Sequence, residues 1–190
     1  MIKIFIIFIF NFSLKDLKES YKNVESIYAE IKEIIYSGKV PTCTLYGKIY
    51  VKRPDFFKMV IEKPESQVIY STRDSTLIYF PSWKELQIFE TPKFIADFFL
   101  LNFEEYSDSI SFIKNNFYEI KIFPKKEFNI PYERIILNLN KKNKNIERIC
   151  FIQGEVNFEF NFLLFKKNEE FETKIFFQKD VKRIKVQFDK

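Results

Sequence analysis

The fold of this chain is decided by one stretch of its sequence, Gly47-Lys48-Ile49-Tyr50-Val51-Lys52-Arg53-Pro54-Asp55-Phe56-Phe57-Lys58-Met59. On both sides of Arg53-Pro54-Asp55, large apolar side chains alternate with polar or amphipathic ones. An alternation with a period of two indicates a β-strand with one buried face, and proline followed by aspartate is typical of a turn. The stretch therefore predicts two antiparallel strands joined by a tight connection.

Strand parity assigns the two faces of this pair, because successive side chains of a strand point to opposite sides. We take the face in line with Arg53 as the inner one. Tyr50 and Lys52 then point outward. The residues assigned to the inner face are Leu45, Gly47, Ile49, Val51, Phe57, Met59 and Ile61.

The same period of two continues through most of the chain. Turn residues such as Ser37-Gly38, Lys63-Pro64-Glu65 and Pro81-Ser82 separate the strands. A sheet of about a dozen antiparallel strands is long enough to curl on itself. The strands are predicted near residues 26–36, 44–53, 56–63, 67–72, 76–80, 85–89, 109–114, 117–123, 132–140, 145–153, 155–165 and 183–188.

Two segments have the period of a helix instead. Between Leu14 and about Val24 the apolar residues recur at steps of three and four, which is typical of an amphipathic helix. Thr91-Pro92 supplies an N-cap and a first helical residue for a second helix of about ten residues. The apolar face of that helix, within residues 94–101, is broad and must lie against another apolar surface. The sequence leaves the state of residues 166–182 open.

The composition adds a surplus of apolar surface and no concentrated charge. The 190 residues include 25 phenylalanines and three glycines, which favours strands, and the length predicts one domain. The formal net charge is +5, but both signs are scattered along the chain. Lys141-Lys142-Asn143-Lys144 falls in an expected hairpin turn, where lysines are usually solvated. Because nucleic-acid binders concentrate positive charge on one stripe, we predict no nucleic-acid binding.

The residue types needed for most enzyme chemistry are missing. The chain has no histidine, which removes the commonest general base and most zinc sites. Its three glycines are too far apart for a phosphate-binding loop. Glu104-Glu105 and Glu169-Glu170 are adjacent pairs, and adjacent side chains point in different directions. We predict no enzyme activity, catalytic residue, metal site or cofactor, unless the fold brings distant carboxylates together.

The amino terminus is typical of an exported protein. Lys3 is followed by an apolar run from Ile4 to Phe10, which as a helix would span only about 10 Å and is too short for a membrane anchor. We predict a signal peptide over residues 1–13 and a single domain over residues 14–190. An apolar first strand or a misplaced start codon is the alternative.

Cys43 and Cys150 are the two cysteines, and the sequence does not decide whether they pair. In an oxidising compartment they could form a disulfide, while two buried thiols are the alternative. No cysteine lies close after the apolar run, so no lipid anchor on the protein itself is predicted.

The residues quoted first resemble the periplasmic outer-membrane lipoprotein carrier (LolA) family. The matching feature is a strand that ends in Lys-Arg-Pro, followed by a strand with alternating large apolar residues. The resemblance extends over about residues 14–165 and is specific between residues 44 and 101. The further segments that resemble the family, in order, are its proline turn and next strand at Glu62–Ile69, its following strand at Thr76–Pro81 and its lid helix at Phe94–Leu101.

The resemblance implies both an architecture and a function. The architecture is a mainly β (α+β) fold, a curved antiparallel sheet of about 11–12 strands that forms an unclosed half-barrel covered by lid helices. The function is that of a soluble periplasmic carrier for acylated lipoproteins or lipids. A release complex in the inner membrane and an acceptor in the outer membrane are the implied partners, and we expect a monomer.

In such a carrier the apolar side chains would line an acyl-binding cavity. From the residues alone a packed core is the favoured interpretation, and the resemblance makes the two interpretations equal, because cores and cavity walls are built from the same residue types. The predicted cavity residues are Ile49, Val51, Phe57, Met59, Ile61, Leu77, Tyr79, Phe94, Ile95, Phe98 and Phe99.

Arg53 is the residue for which the sequence makes the most specific functional prediction. Strand parity turns its guanidinium toward the apolar side, where an unpaired charge is costly, so it should find carbonyls or a carboxylate. The resemblance implies that it latches the lid helix. A strand-end arginine that reaches solvent is the alternative.

A rival function comes from a different class of protein. The same fold serves as a lipid-sensing or regulatory binding module of the cell envelope. Such regulators usually carry a further domain, and we expect none here.

Overall fold

The computed structural model describes residues 12–54, 56–72, 75–90, 107–114, 116–126 and 130–172. Within them, eleven antiparallel strands form one sheet that does not close into a barrel, together with one short helix. The predicted mainly β, open half-barrel architecture is confirmed. The elements are α1 (Leu14–Tyr21), β1 (Ser26–Ser37), β2 (Val40–Lys52), β3 (Phe56–Lys63), β4 (Gln67–Ser71), β5 (Ser75–Phe80), β6 (Glu85–Glu90), β7 (Ser107–Ile113), β8 (Phe117–Pro124), β9 (Arg134–Asn140), β10 (Ile146–Gln153) and β11 (Val156–Lys167).

Two meanders meet at the first strand. The order across the sheet is β6-β5-β4-β3-β2-β1-β11-β10-β9-β8-β7, so β1 pairs with β2 on one side and with β11 on the other. These three strands are also the longest, with 12, 13 and 12 residues. Strands β6 and β7 are the two edges. The predicted second helix, at residues 94–101, and the predicted strand at 183–188 lie outside the described residues.

The inner face of the sheet is defined here as the one that carries Ile49. In the ladder, Ala29 of β1 lies opposite Ile49 of β2, which lies opposite Met59 of β3, and all three are buried. Residues directly opposite each other in an antiparallel pair share a face, so the inner face can be followed from strand to strand. On the far side of β1 it continues through residues such as Phe160 and Leu137.

Helix α1 packs on this inner face. Ser13 caps it, with a reciprocal hydrogen-bond pair between Ser13 and Asp16. An eight-residue helix is marginal by itself in water, so its stability comes from the burial of Leu14, Leu17 and Tyr21 in the core of the sheet. The Tyr21 hydroxyl donates to the carbonyl of Lys144 at 3.0 Å. The helix ends at Tyr21, before the predicted Val24.

Phe12, which lies just before α1, contacts the folded domain. The ring of Phe12 stacks on that of Tyr118 with centroids 4.6 Å apart, and the Lys144 ammonium lies over both rings. The predicted signal peptide covered residues 1–13, of which 1–11 lie outside the described part. A mature chain that keeps these contacts begins at or before Phe12.

The two cysteines lie on opposite faces of the sheet and both are free. Cys43 is opposite Ile35 on the inner face, whereas Cys150 is opposite Glu159 on the outer one. A disulfide needs Cα atoms within about 7 Å and side chains that point toward each other. The structure therefore shows two unpaired thiols.

Gly47 permits the close approach of β2 and β3. The register shifts between Tyr46 and Gly47, and a Cβ atom added at Gly47 would lie 2.3 Å from the backbone oxygen of Val60. A backbone oxygen cannot rotate away as a side chain can, so the two strands would have to move apart.

We expect Gly47→Ala to lower the free energy of unfolding by about 3 kcal/mol, since overpacking a well-packed core costs about this much. Urea denaturation followed by circular dichroism measures the loss. Gly38→Ala is the matched control: nothing lies within 4 Å of its added Cβ, and only its positive φ of 60° opposes the change. That control should lose about 1 kcal/mol. Equal losses for the two variants would contradict the steric explanation.

Candidate ligand site on the inner face of the sheet

Five of the predicted cavity residues share the inner face on β2 and β3. Their side chains are buried in one cluster with Leu14 and Leu17 of α1, which occupies this part of the half-barrel. These five side chains therefore pack against α1. Whether they also contact acyl chains stays a prediction. The five are Ile49, Val51, Phe57, Met59 and Ile61.

Leu77 and Tyr79 are not brought to the same face. Leu77 lies opposite Tyr70, which lies opposite Lys58, and these three side chains point outward. Tyr79 likewise lies opposite the outward Val68. The inward residue of this part of β5 is Ile78, which follows the ladder from Met59. The placement of Leu77 and Tyr79 with the other cavity residues is therefore corrected by the strand register.

The remaining predicted cavity residues, Phe94, Ile95, Phe98 and Phe99, lie outside the described residues. Their proposed role in a lid stays a prediction.

Arg53 joins the end of β2 to the end of α1. Its Nε donates to the carbonyl oxygen of Val24 at 2.8 Å, and Nη2 approaches the carbonyl oxygen of Tyr21 at 3.5 Å. Its backbone N–H donates to the carbonyl of Glu25 at 2.9 Å. The last carbonyls of a helix have no partner within the helix, so a cation with several donors stabilises this end. Among the described residues the guanidinium thus holds α1, and its predicted contact with the second helix is untested.

A cleft beside Arg53 differs from an acyl cavity in its lining. It has a volume of about 320 Å³ and lies between the α1–β1 connection and the segment after β11. Lys52, Glu25 and Glu169 contribute charged groups to it. Acyl chains require apolar walls, so this cleft is a poor candidate for binding them.

A buried acidic residue that belongs to neither of the adjacent acidic pairs in the sequence lies on the inner face. Glu33 of β1 is only 7% exposed, with Leu45 opposite it on β2 and Phe160 on β11. The signal was present in the alternation of β1, because Glu33 is in phase with Ile31 and Ile35. A charged residue in phase with buried ones indicates an inward-facing charge.

Aromatic rings surround this part of the inner face. The centroids of Tyr132 and Phe151 are 4.7 Å apart, those of Tyr132 and Phe158 are 6.4 Å apart, and those of Phe151 and Phe160 are 5.8 Å apart. No hydrogen bond to the carboxylate of Glu33 comes from the residues that the structure describes. Burial raises the pKa of Glu33 from its usual 4.5 to about 7. Burial first, and the nearby Glu33 second, also raise the pKa of Tyr132.

The raised pKa of Glu33 predicts a pH-dependent stability. Between about pH 4.5 and 7 the folded protein keeps a proton that the unfolded chain has lost, so stability falls as pH rises through this window and changes no further above it. Glu33→Gln removes this dependence. The stability of the variant relative to the natural protein should therefore rise by on the order of 2–3 kcal/mol between the two ends of the window.

Urea denaturation at several pH values measures this difference. Glu155→Gln, at an exposed turn, is the control and should give the same relative stability throughout. A relative stability of Glu33→Gln that does not change with pH would show that the carboxyl of Glu33 is solvated.

Comparisons with solved structures support the architecture. An uncharacterized conserved protein from Thermus thermophilus superposes with a TM-score of 0.62 at 13% identity, covering 90% of this chain and 98% of that one. A LolA superfamily protein from Nitrosomonas europaea gives 0.52 at 10% identity, covering 87% and 98%. The chain has a LolA-like fold. At these identities the likeness shows the fold alone.

MucB of Pseudomonas aeruginosa, in its complex with MucA, is also similar to this LolA-like chain. The TM-score is 0.52 at 9% identity, and the match covers 90% of this chain and 62% of MucB. No family model and no curated protein matches the sequence.

Two further observations concern the described residues only. None of their helices is both long and apolar enough to cross a membrane. They also contain no group of three or more acidic or cysteine side chains placed to hold a metal ion.

Proposed function

We propose that this protein is a periplasmic carrier that binds the acyl chains of lipoproteins or lipids on its inner face and moves them from the inner to the outer membrane. One observation supports the proposal above the others. Strand β11 turns four phenylalanines to the inner face, and each is only partly buried among the described residues. They are Phe158, Phe160, Phe162 and Phe165.

Helix α1 is too small to cover this surface. Eight helical residues are about 12 Å long, whereas eleven strands spaced at about 4.8 Å extend over roughly 50 Å. Tyr21 of the helix is in edge contact with Phe165, and Phe12, just before the helix, stacks on Tyr118. Among the described residues, apolar surface is therefore left over, and an exposed apolar surface of this kind usually marks a binding site.

The energetics of transport favour such a surface. Each methylene kept from water is worth about 0.8 kcal/mol, so a chain of about sixteen carbons carries on the order of 12 kcal/mol of exposure penalty during an aqueous crossing. A carrier offsets that penalty by contact with apolar side chains. The proposal includes export to the periplasm, an inner-membrane donor complex and an outer-membrane acceptor.

The inner-face phenylalanines give the direct test. We expect Phe160→Ser to weaken binding of the neutral fluorescent probe N-phenyl-1-naphthylamine about tenfold, the effect of losing roughly 1.4 kcal/mol of apolar contact. Phe112→Ser makes the same change on an exposed residue of the outer face of β7 and should leave binding unchanged. Equal effects of the two changes would place the binding surface elsewhere.

Cargo is identified by purifying the protein from its native envelope and analysing the bound species by mass spectrometry. The carrier proposal expects acylated species. Their absence would overturn it.

The proposed latch role of Arg53 concerns release. Its guanidinium holds the end of α1, so it sets the position of a helix that lies on the inner face. We expect Arg53→Leu to impair transfer of cargo to an acceptor membrane more than uptake, with a transfer rate about tenfold lower, because roughly 1.4 kcal/mol of helix anchoring is lost. Timed transfer of a fluorescent lipid to vesicles measures this. Equal transfer by Arg53→Leu and by the natural protein would rule out the latch.

A sensing module of the cell envelope is the second candidate function. The observation that favours it is the structural likeness to MucB, which was solved in complex with MucA. A sensor would keep its ligand and bind a protein partner, whereas a carrier would pass its ligand on. The transfer experiment separates the two functions.

A further inference from the structure

Glu33 is a charged group placed where the carrier proposal needs an apolar wall. Its immediate neighbours across the sheet, Leu45 and Phe160, are apolar on both sides. Along β1 its inner-face neighbours are Ile31 and Ile35. An ionised carboxylate in such surroundings is costly unless an opposite charge or hydrogen-bond donors compensate for the lost water.

One titratable neighbour of Glu33 is a phenol and not a cation. Tyr132 lies close enough to Glu33 for its own pKa to respond to the carboxyl. Its ring makes a tilted contact with Phe151 and an edge contact with Phe158, so it forms part of the same aromatic wall. A phenol offers one donor and no positive charge, so it does not neutralise an ionised carboxylate.

Lys167, the basic residue on the inner face of β11, is too far from Glu33 to neutralise its carboxylate. Lys167 lies opposite Ile27, which is six residues along β1 from Glu33, or roughly 20 Å. Its ammonium lies 4.0 Å from the centroid of the Tyr21 ring, against α1. At such a distance a charge is largely screened in water. Lys167 therefore lies at the α1 end of the inner face, and Glu33 lies at the opposite part of β1.

We infer that Glu33 recognises the polar group of the ligand, and that the inner face binds amphiphiles with an alkyl or acyl chain and an ammonium group in preference to those with a carboxylate. The inference rests on the proposed function, since it assumes that the inner face takes apolar chains. An ammonium would supply both the charge and the donors that the described residues do not give to Glu33, and the surrounding rings would contact the chain next to it.

The overall charge of the protein makes this preference diagnostic. A formal net charge of +5 attracts anions at long range and repels cations. A protein without a local acidic group on its binding surface would therefore favour a fatty acid over a fatty amine of equal length. The opposite preference requires a carboxylate close to the bound polar group.

The test compares three probes of equal chain length, dodecylamine, dodecanoate and 1-dodecanol, as competitors of N-phenyl-1-naphthylamine. At about pH 8 we expect the natural protein to bind dodecylamine at least about tenfold more tightly than dodecanoate. Glu33→Gln should lose this preference and keep its affinity for 1-dodecanol. Glu33→Asp, which retains the charge, should still prefer the amine, and the turn variant Glu155→Gln should behave like the natural protein.

The outcomes separate this inference from the proposed function. If 1-dodecanol fails to displace the probe from the natural protein, the apolar site itself is absent and both proposals fall. If 1-dodecanol binds but dodecanoate binds as well as dodecylamine, only the role of Glu33 is overturned. The same holds if Glu33→Gln keeps the preference for the amine.

Discussion

The pairing of β1 with β2 on one side and β11 on the other is the interaction on which the rest of the structure depends. It joins residues more than a hundred positions apart in sequence, such as Ala29 and Phe165, and it unites two meanders that would otherwise be separate sheets. Closing so long a loop costs chain entropy, which only burial of a large apolar face can offset. The inner face, with α1 packed on it, supplies that burial.

The same pairing explains which features the sequence could predict. Where apolar and polar residues alternate strictly, as at Ile49 and Met59, parity alone identifies the inner face, and the structure agrees. Strand β5 reads Leu77-Ile78-Tyr79-Phe80, which is apolar on both faces, so its pattern cannot choose between them. Only its register with β4 decides that Ile78 points inward.

Two polar residues, Arg53 and Glu33, show the same limit of prediction from the sequence. The alternation of β2 indicated that Arg53 needs acceptors, but the choice of the Tyr21 and Val24 carbonyls depends on where α1 ends in three dimensions. Glu33 was readable from the phase of β1, yet the isolation of its carboxyl follows only from the opposite residues Leu45 and Phe160. The position of a residue in the alternation shows to which face its side chain points. Its neighbours across the sheet, in contrast, depend on which strands pair over long range.

These two residues also define the span of the candidate site. Arg53 holds α1 beside Ile27, and Glu33 lies roughly 20 Å away along β1. One leaflet of a bilayer has about 15 Å of hydrocarbon, which is the length that a single acyl chain occupies there. The inner-face residues of β1 between the α1 end and Glu33, which are Ile27, Ala29 and Ile31, are themselves buried in the core with α1. A chain of this length would therefore lie along the partly buried phenylalanines of β11 and bring its polar end close to Glu33, the charged residue on the inner face of β1.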